Sequence, residues 1–317
     1  MKNTLKDLNV YLSDKQQGLI NTLVENNPII DSLPVKASSH GIYNVYGKVT
    51  DIDAMQEVDY DAELPVVSIS YDLGRTRLGK IGGKLPMPMD AAKEMGGFER
   101  FANDRYPQII AKSGNDNEAR IYYKGFLASA IKNQQIVSAG GTTPDKQYSM
   151  VMVHYDPDTT TGLYNANSLS NGKLFATLML NGGKIYELDL PDGSKPLGKM
   201  MAMFMEFGLQ LADPNAVGAI VNIEPKASAT DPDKIAGLPS AMMIDDRLAA
   251  VRANTGSTFI YCHPTLMNYL ANKYQLERRS VTNGATGVSY SLTEWNGVPI
   301  IGSYNILWGK ESVVATA

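Results

Sequence analysis

The chain has 317 residues, which is enough for two or three packed regions and a large core, and its formal net charge is −4. This mildly acidic balance argues against a protein whose main task is to grip nucleic acid, because such a surface is basic. Cys262 is the only cysteine, which excludes an internal disulfide and a thiolate metal cluster within one chain. The apolar runs of the chain are shorter than the ~18 residues that a membrane span requires.

The N-terminus, MKNTLKDLNVYLSDKQQ, lacks the apolar core of a secretory signal, so we expect a cytoplasmic start. Ser13 and Gln16 have the spacing of a capping box and predict a short helix. Pro28 and Pro34 then interrupt "NNPIIDSLPV", which indicates a chain that leaves the helix and continues extended. We therefore expect residues 1–40 to form an arm that straps neighbouring subunits. Deletion of residues 1–30 should then leave the body folded but impair assembly.

Residues 41–89 have the pattern of a long β ribbon with sorted charges. In an uninterrupted strand, alternate residues share a face, so the odd-numbered acids would share one. The acids are Asp51, Asp53, Glu57, Asp59, Asp61 and Glu63. The return limb is basic and carries Arg75, Arg77, Lys80 and Lys84.

Two interpretations of these charges stay open. Opposite charges could pair across the strands of a solvated ribbon, which contributes ~0.2–1 kcal/mol for each pair. The charged faces could instead dock on neighbouring subunits, where they would set register more than affinity. The ten ribbon charges are accordingly candidates for contacts between subunits.

A phosphate-loop pattern also falls in this ribbon, in "GRTRLGKI". Gly74, Gly79 and Lys80 match its spacing, but the next residue is Ile81, where Mg²⁺ would need a hydroxyl. Two glycines and two prolines follow within seven residues, so we expect no helix to begin there. Nucleotide binding through Lys80 is therefore a weak alternative.

The segment 90–135 changes to helical periodicity. Pro107 and Gly114 predict breaks, and Asn115 with Glu118 predicts a new N-terminus. We expect a long, interrupted helix that crosses a sheet and contributes an aromatic stripe to the core.

Two strands, "YSMVMVHYD" and "GKMMAMFMEFGLQLAD", flank a turn-rich insertion at residues 156–198. The second strand carries Met201, Met203 and Met205, a pattern that suits Cu(I), but Phe204 and Phe207 lie beside it and favour core packing. His40, His154 and His263 are scattered, without a hydrolase or zinc motif. The sequence predicts no catalytic, cofactor-binding or metal-binding residue.

The last third alternates helix and strand and predicts a compact α+β unit. "LPSAMMIDDRLAAVRAN" and a segment beginning at Pro264 predict helices, and "FIYC" predicts a strand with Cys262 buried. Asn296-Gly297 predicts a two-residue hairpin turn. Pro299 then favours an edge strand or the start of a strand.

The order of these parts resembles the Hong Kong 97 fold of tailed-phage major capsid proteins. The amino-acid sequence is similar to that of the short-tailed-phage branch in five segments. These are "YSMVMVHYDPDTTTGLYN", "FMEFGLQLADPNAVGAIVNIE", "AMMIDDRLAAVR", "FIYCHPTLMNYL" and "WNGVPIIGSYNIL". The resemblance implies an α+β capsid fold in four parts. These are an N-terminal arm at 1–40, an extended β loop at 41–89, a peripheral domain with a spine helix at 90–225, and an axial domain with a closing strand at 226–317.

The resemblance also implies a function and partners. The chain would be a non-enzymatic shell protein that forms hexamers and pentamers of an icosahedral virion capsid, assembled in the host bacterial cytoplasm. A separate scaffolding protein, a portal and an optional decoration protein would be its partners, and packaged DNA would touch it without specificity. A cellular encapsulin-like nanocompartment shell is the alternative with the same fold.

Overall fold

The computed structural model describes residues 4–53, 66–170, 174–227, 235–274, 278–282, 289–307 and 309–315. Strands in chain order are β1 (Val35–Ala37), β2 (Tyr43–Ile52), β3 (Ile69–Arg77), β4 (Gly79–Pro88), β5 (Ile136–Ser138), β6 (Tyr148–His154), β7 (Thr160–Tyr164), β8 (Phe175–Met179), β9 (Tyr186–Glu187), β10 (Leu197–Leu211), β11 (Val217–Ile223), β12 (Lys226–Ala227), β13 (Ile235–Ala236), β14 (Thr258–Cys262), β15 (Arg278–Thr282), β16 (Ser289–Trp295) and β17 (Val298–Gly302). The α-helices are α1 (Asp14–Glu25), α2 (Pro28–Ser32), α3 (Met89–Glu94), α4 (Phe98–Arg120), α5 (Ala128–Lys132), α6 (Ala166–Ser170), α7 (Ala241–Ala250) and α8 (Pro264–Tyr274). Short 3₁₀ segments lie at Asp7–Tyr11 and Leu180–Gly183.

The longest helical element is continuous from Phe98 to Lys132, because the π-helical segment Ile121–Leu127 joins α4 to α5. We call this element the spine helix. The breaks predicted at Pro107 and Gly114 are wrong, since both residues lie inside α4. Pro107 is exposed, so the helix can tolerate its lost hydrogen bond on the solvent side.

Gly114 serves close helix packing rather than a break. A Cβ atom at this position would lie 2.4 Å from Asn27 Nδ2 and 2.8 Å from the carbonyl oxygen of Leu23. Only glycine lets α1 approach the spine helix this closely. Asn115 is consequently a mid-helix residue and not the predicted N-cap.

A seven-stranded sheet forms the centre of the molecule, in the order β15-β16-β17-β14-β6-β11-β5. Alternate residues of β6 face opposite sides: Val151 and Val153 pack towards the spine helix, and Met150 and Met152 pack towards α7 and α8. All four are fully buried, as expected for a strand covered on both faces. The predicted helices and strand of the last third are confirmed by α7, α8 and β14.

The predicted hairpin is present, but its second strand lies inside the sheet. Asn296 and Gly297 have φ angles of 49° and 79°, which a two-residue type I′ turn requires. β17 pairs with β16 on one side and with β14 on the other, so of the two positions predicted from Pro299 the edge strand is wrong. The start of a strand is confirmed, since Pro299 is the second residue of β17. The pairing with β14 begins at Ile300, so the proline precedes that ladder.

The seven-stranded sheet also crosses the predicted domain boundary at residue 225. β6 and β11 precede the boundary, and β14 and β17 follow it, yet they are hydrogen-bonded neighbours in the order given above. The boundary therefore does not separate two sheets.

A second sheet of six strands has the path β1-β7-β10-β4, with β8 and β9 also paired to β10. Met201 and Met203 of β10 are buried against α3 and the start of the spine helix, and Met205 is buried in the main core. The prediction of core packing for this trio is confirmed. The insertion at 156–198 is more ordered than expected, since it contributes β7, β8 and β9.

The N-terminal residues pack on their own chain. Pro28 begins the helix α2, and β1 pairs with β7, so the extended strap predicted from the prolines is wrong here. The physical reason is apolar burial in the main core, which includes Leu5, Leu8, Leu12, Ile20, Leu23, Val24, Ile29, Ile30, Leu33 and Val35. We call residues 5–35 the N-terminal layer.

Ser13 is the N-cap of α1 as predicted, but the capping box does not form. Gln16 is buried and exchanges two hydrogen bonds of 3.1 Å with the backbone of Phe175 in β8. The polar residue thus fastens the N-terminal layer to the six-stranded sheet. Among the described helices, none is long and apolar enough to cross a bilayer.

Candidate assembly surfaces

The ribbon of β2 and β3 projects as a two-stranded sheet that pairs with no other strand in the described ranges. Arg75 and Arg77 are exposed on β3 and lie opposite Val45 and Tyr43 of β2. The guanidinium carbon of Arg75 is 3.8 Å from the centre of the Tyr43 ring, a cation–π contact. Neither arginine faces an acid of β2, so cross-strand charge pairing is wrong for this pair.

The acids begin farther out along the ribbon. Asp51 lies opposite Ser70, after a bulge that follows Val49. Asp53 accepts hydrogen bonds from Ser68, 3.0 Å from its backbone nitrogen and 2.6 Å from its hydroxyl, and these bonds lower the pKa of the carboxyl. The other four acids lie outside the described residues, namely Glu57, Asp59, Asp61 and Glu63.

Lys80 and Lys84 do not belong to the ribbon. Leu78 is buried between β3 and β4, and this burial turns the chain into the six-stranded sheet. Lys80 lies opposite Glu206 of β10, and its ammonium is 3.6 Å from the centre of the Phe204 ring. The single basic limb predicted from sequence is therefore divided between two sheets, and the phosphate-loop pattern spans two strands.

The cysteine and the histidine that precedes α8, both considered in the sequence analysis, occupy positions that serve the fold. Cys262 is buried in β14, and burial raises the pKa of its thiol to about 12, which suppresses the reactive thiolate. His263 precedes α8, and its Nδ1 accepts a 3.1 Å hydrogen bond from the Thr265 backbone. Within the described ranges, no three His, Cys, Asp or Glu side chains converge as a possible metal site.

A buried carboxyl on the spine helix holds the C-terminal segment, a role that the sequence did not reveal. Glu118 is fully buried and accepts hydrogen bonds from the Ser303 hydroxyl and, at 3.3 Å, from the Ile29 backbone. Burial raises its pKa to about 7. The sequence predicts a helix cap here, because a glutamate three residues after an asparagine has the spacing of a capping box. A buried glutamate in the middle of a helix can have the same spacing.

A second carboxyl fastens the following residues of the C-terminal segment. Tyr123 donates a 2.6 Å hydrogen bond to Glu311, and its hydroxyl accepts a 2.8 Å bond from the backbone of Leu307. Burial raises the pKa of Glu311 to about 7. Asn222 then exchanges two 2.8 Å bonds with the backbone of Val314. The segment from Ser303 onwards is thus bound along its own chain.

A basic groove lies between the spine helix and β10, and we call it the spine groove. It has a volume of about 470 Å³ and is lined by Thr76, Arg120, Ile121, Lys124, Gly125, Ala128, Ser129, Lys132, Phe207, Gly208, Leu209 and Leu211. Its lining includes no aspartate or glutamate. In the part of the chain that the structure describes, none of the three cations takes part in an ion pair.

Sequence reasoning missed this groove, although a signal existed. Arg120, Lys124 and Lys132 are four and eight residues apart, a spacing that brings cations to one side of a helix. The sequence could not predict the second wall of the groove, since β10 begins 65 residues after the end of the spine helix.

A family model described as major capsid protein GP7 matches residues 119–315, more than half of the chain. The chain belongs to the GP7 family of major capsid proteins. The match covers the end of the spine helix from residue 119, the strands β5 to β17 and the C-terminal segment to residue 315. No curated protein sequence matches the chain.

Solved capsid structures are similar in fold to this GP7-family chain. A chain of bacteriophage Epsilon15 has 14% identity and a TM-score of 0.54, with 89% of this chain and 88% of that chain covered. The capsid of bacteriophage JBD30 has 9% identity and a TM-score of 0.49, with coverages of 86% and 88%. An encapsulin from Synechococcus elongatus PCC 7942 has 8% identity and a TM-score of 0.41, with coverages of 62% and 88%.

The α+β architecture is therefore that of a tailed-phage capsid of the Hong Kong 97 type. As a GP7-family member, the chain is a structural major capsid protein, and copies of it assemble into the shell of the virion. This assignment confirms the main functional prediction from the sequence.

Proposed function

We propose that this capsid protein builds its shell through the projecting ribbon of β2 and β3. An isolated two-stranded ribbon is marginally stable in water and needs a surface on which to pack. Leu73 of the ribbon is 74% exposed, and Val66, three residues before β3, is 94% exposed. Apolar side chains on a projection with no strand partner support a contact with another copy.

The proposed contact residues are the charged residues that the sequence analysis assigned to the ribbon. Arg75 and Arg77 would contact a neighbouring copy on the basic limb, and the acids from Asp51 to Glu63 would do so on the other limb. Lys80 and Lys84 stay exposed, but they would act from the six-stranded sheet. Weak pairs of ~0.2–1 kcal/mol become decisive when a closed shell repeats them at every copy.

In this proposal, each of the two large sheets forms one functional part of the molecule. The six-stranded sheet with the start of the spine helix would be the peripheral part. The seven-stranded sheet with α7 and α8 would be the axial part. Each would then be assembled from separate stretches of the chain.

The finer assignment also belongs to the proposal. The short-tailed-phage branch is supported by the five sequence segments quoted above, and a shell role without enzymatic activity is supported by the family. A separate scaffolding protein, a portal and an optional decoration protein would act with the chain in the host bacterial cytoplasm. The encapsulin alternative would require cargo enzymes in place of packaged DNA.

The experiment reverses two ribbon charges. The variant Arg75→Glu/Arg77→Glu is compared with Lys146→Glu/Lys184→Glu, which changes the net charge equally at two exposed positions. Both are expressed with the neighbouring genes, and particles are counted by negative-stain microscopy and sedimentation. We expect normal melting for both variants and loss or distortion of particles for the ribbon variant alone. Normal shells from the ribbon variant would remove Arg75 and Arg77 from the proposed contact.

A further inference from the structure

We propose that the outer edge of β8 pairs with the same edge of a second copy of this chain, across a two-fold axis at Leu178. The two strands would run antiparallel and join the six-stranded sheets of two copies into one. The inference goes beyond the proposed function, because β8 belongs to a different sheet from the ribbon.

β8 lies at an outer edge of the six-stranded sheet. In the described ranges it pairs only with β10, which pairs with β4 on its other side. Alternate residues of an antiparallel strand turn both backbone groups towards or away from the partner strand. The Gln16 side chain bonds both the nitrogen and the oxygen of Phe175, so Phe175 faces away from β10. Thr177 and Met179 therefore face away from β10 as well.

The Gln16 amide takes the place of a neighbouring strand, but only at the first residue of β8. Thr177 and Met179, the next two residues that face outward, are both exposed. A strand edge that offers its backbone groups to solvent is a template for another strand. The edge is thus accessible at the two positions where pairing would continue.

The edge formed by β4 is protected against such pairing. Met205 lies opposite both Phe175 and Ile81, so Ile81 bonds β10 and the even-numbered residues of β4 face outward. These residues are Lys80, Gly82, Lys84, Pro86 and Pro88. Proline offers no donor, and lysine on an edge discourages pairing. β8 has the sequence FATLM, without proline or charge, so it is the better suited of these two outer strands.

The register of the proposed pair follows from the groups along the edge. A two-fold axis at Leu178 brings Thr177 of each copy opposite Met179 of the other. The Met179 nitrogen can then donate to the Thr177 oxygen in both directions. An axis at Thr177 would instead bring Met179 opposite Phe175, whose backbone groups Gln16 already holds. Of these two registers, the edge permits the one centred on Leu178.

The side chain at the axis fits the same register. Leu178 is 57% exposed although it lies inside a strand. At the axis, the two copies of Leu178 form a pair without hydrogen bonds between them, in which the Cα atoms are ~4.5 Å apart and the side chains touch. A leucine that meets its own copy makes the contact self-complementary, as a two-fold axis requires.

This contact would supply a connection that a ribbon contact does not. A ribbon that lies on a different surface of the next copy makes a head-to-tail contact, which closes into rings. A two-fold contact instead joins two copies that belong to different rings. Each pair is weak by itself, but a closed shell repeats it at many copies.

A single cysteine tests the two-fold axis directly. In Leu178→Cys, the Cα atoms of a pair would lie ~4.5 Å apart, within the ~4.4–6.8 Å that a disulfide requires. Assembled particles are oxidised with oxidised glutathione, from which the buried Cys262 is shielded. We expect one linked species of twice the chain mass on a denaturing, non-reducing gel, without a larger ladder.

Leu197→Cys is the matched control for the cross-link. Leu197 is 55% exposed, close to the value for Leu178, but it lies five residues along β10 from Ala202, the residue opposite Leu178. The control chain should stay monomeric on the same gel.

A charge at the axis tests the role of the contact in assembly. Leu178→Lys would set two lysines against each other, which discourages pairing. Because more than half of this side chain is exposed, the variant should melt like the parent. The yield of closed shells should fall by about tenfold or more, with rings as the main product. Leu197→Lys adds the same charge elsewhere and should assemble normally.

Three results would overturn the inference. The first is a Leu178→Cys chain that forms no linked species, or a Leu197→Cys chain that forms as much. The second is a linked species that contains a different protein, because β8 would then pair with a strand of that protein. The third is a normal yield of shells from Leu178→Lys.

The inference and the proposed function can fail separately. If Leu178→Cys forms the linked pair while Arg75→Glu/Arg77→Glu gives normal shells, the β8 contact stands and the ribbon contact fails. If the ribbon variant loses particles while Leu178→Lys assembles normally, the ribbon contact stands and the β8 contact is overturned.

Discussion

Removal of the N-terminal layer should unfold this protein, contrary to what its prolines suggest. Deletion of residues 1–30 takes away eight buried apolar side chains, Leu5, Leu8, Leu12, Ile20, Leu23, Val24, Ile29 and Ile30. At ~1.5–3 kcal/mol for each buried side chain, the loss is about 12–24 kcal/mol as an upper estimate. This exceeds the ~5–15 kcal/mol by which domains are usually stable.

The assay compares melting and urea unfolding of the truncated and full chains by circular dichroism. Two point variants sharpen it: Leu23→Ala, at a side chain 6% exposed, should cost ~2–5 kcal/mol, whereas Val10→Ala, at one 85% exposed, should cost less than ~0.5 kcal/mol. A truncated chain that melts cooperatively at the temperature of the full chain would refute the reasoning. It would mean that the N-terminal layer straps other subunits after all.

Three further predictions concern single positions. Glu118→Gln should be as stable as the parent near pH 4 and up to roughly 3 kcal/mol more stable at pH 8; the folded pKa of about 7 lies above the ordinary 4.5, so the parent loses stability as pH rises through this window. Thermal melts at both pH values check this, and a larger gain at pH 4 would contradict it. Gly297→Ala should cost about 1–2 kcal/mol in chemical unfolding because φ is 79° there, and an unchanged midpoint would argue against the turn. Cys262 should react with a thiol reagent only after denaturation, so rapid labelling of the folded chain would contradict its burial.

Local sequence patterns were sufficient to predict the C-terminal third of the fold. Ser240 caps α7 through a bond from the Met243 nitrogen, Pro264 begins α8, and Asn296-Gly297 makes the turn. Each signal involves residues within a few positions of each other, so propensity and turn chemistry were sufficient.

Contacts between distant residues could not be predicted in the same way. Gly114 was interpreted as a helix breaker because its partner, Asn27, is known only from the fold. The prolines of the N-terminal layer suggested extension, but tertiary burial of their apolar neighbours decided the outcome. Leu78 is one residue in a charged run, yet its burial ends the ribbon and moves Lys80 to another sheet.

The candidate assembly surfaces show the same limit. The ribbon acids were visible as a pattern, and so was the basic limb, but their register was not. The spine groove needs the pairing of the spine helix with β10, which no local pattern reports. The sequence thus located the charged residues but could not show which residue each of them faces.

Electron cryo-microscopy of particles made with the neighbouring genes is the most direct test of the central claim. We expect closed icosahedral shells, in which the ribbon of one copy lies on another copy. A monodisperse 34.5 kDa monomer under all assembly conditions, scaffold included, would contradict it.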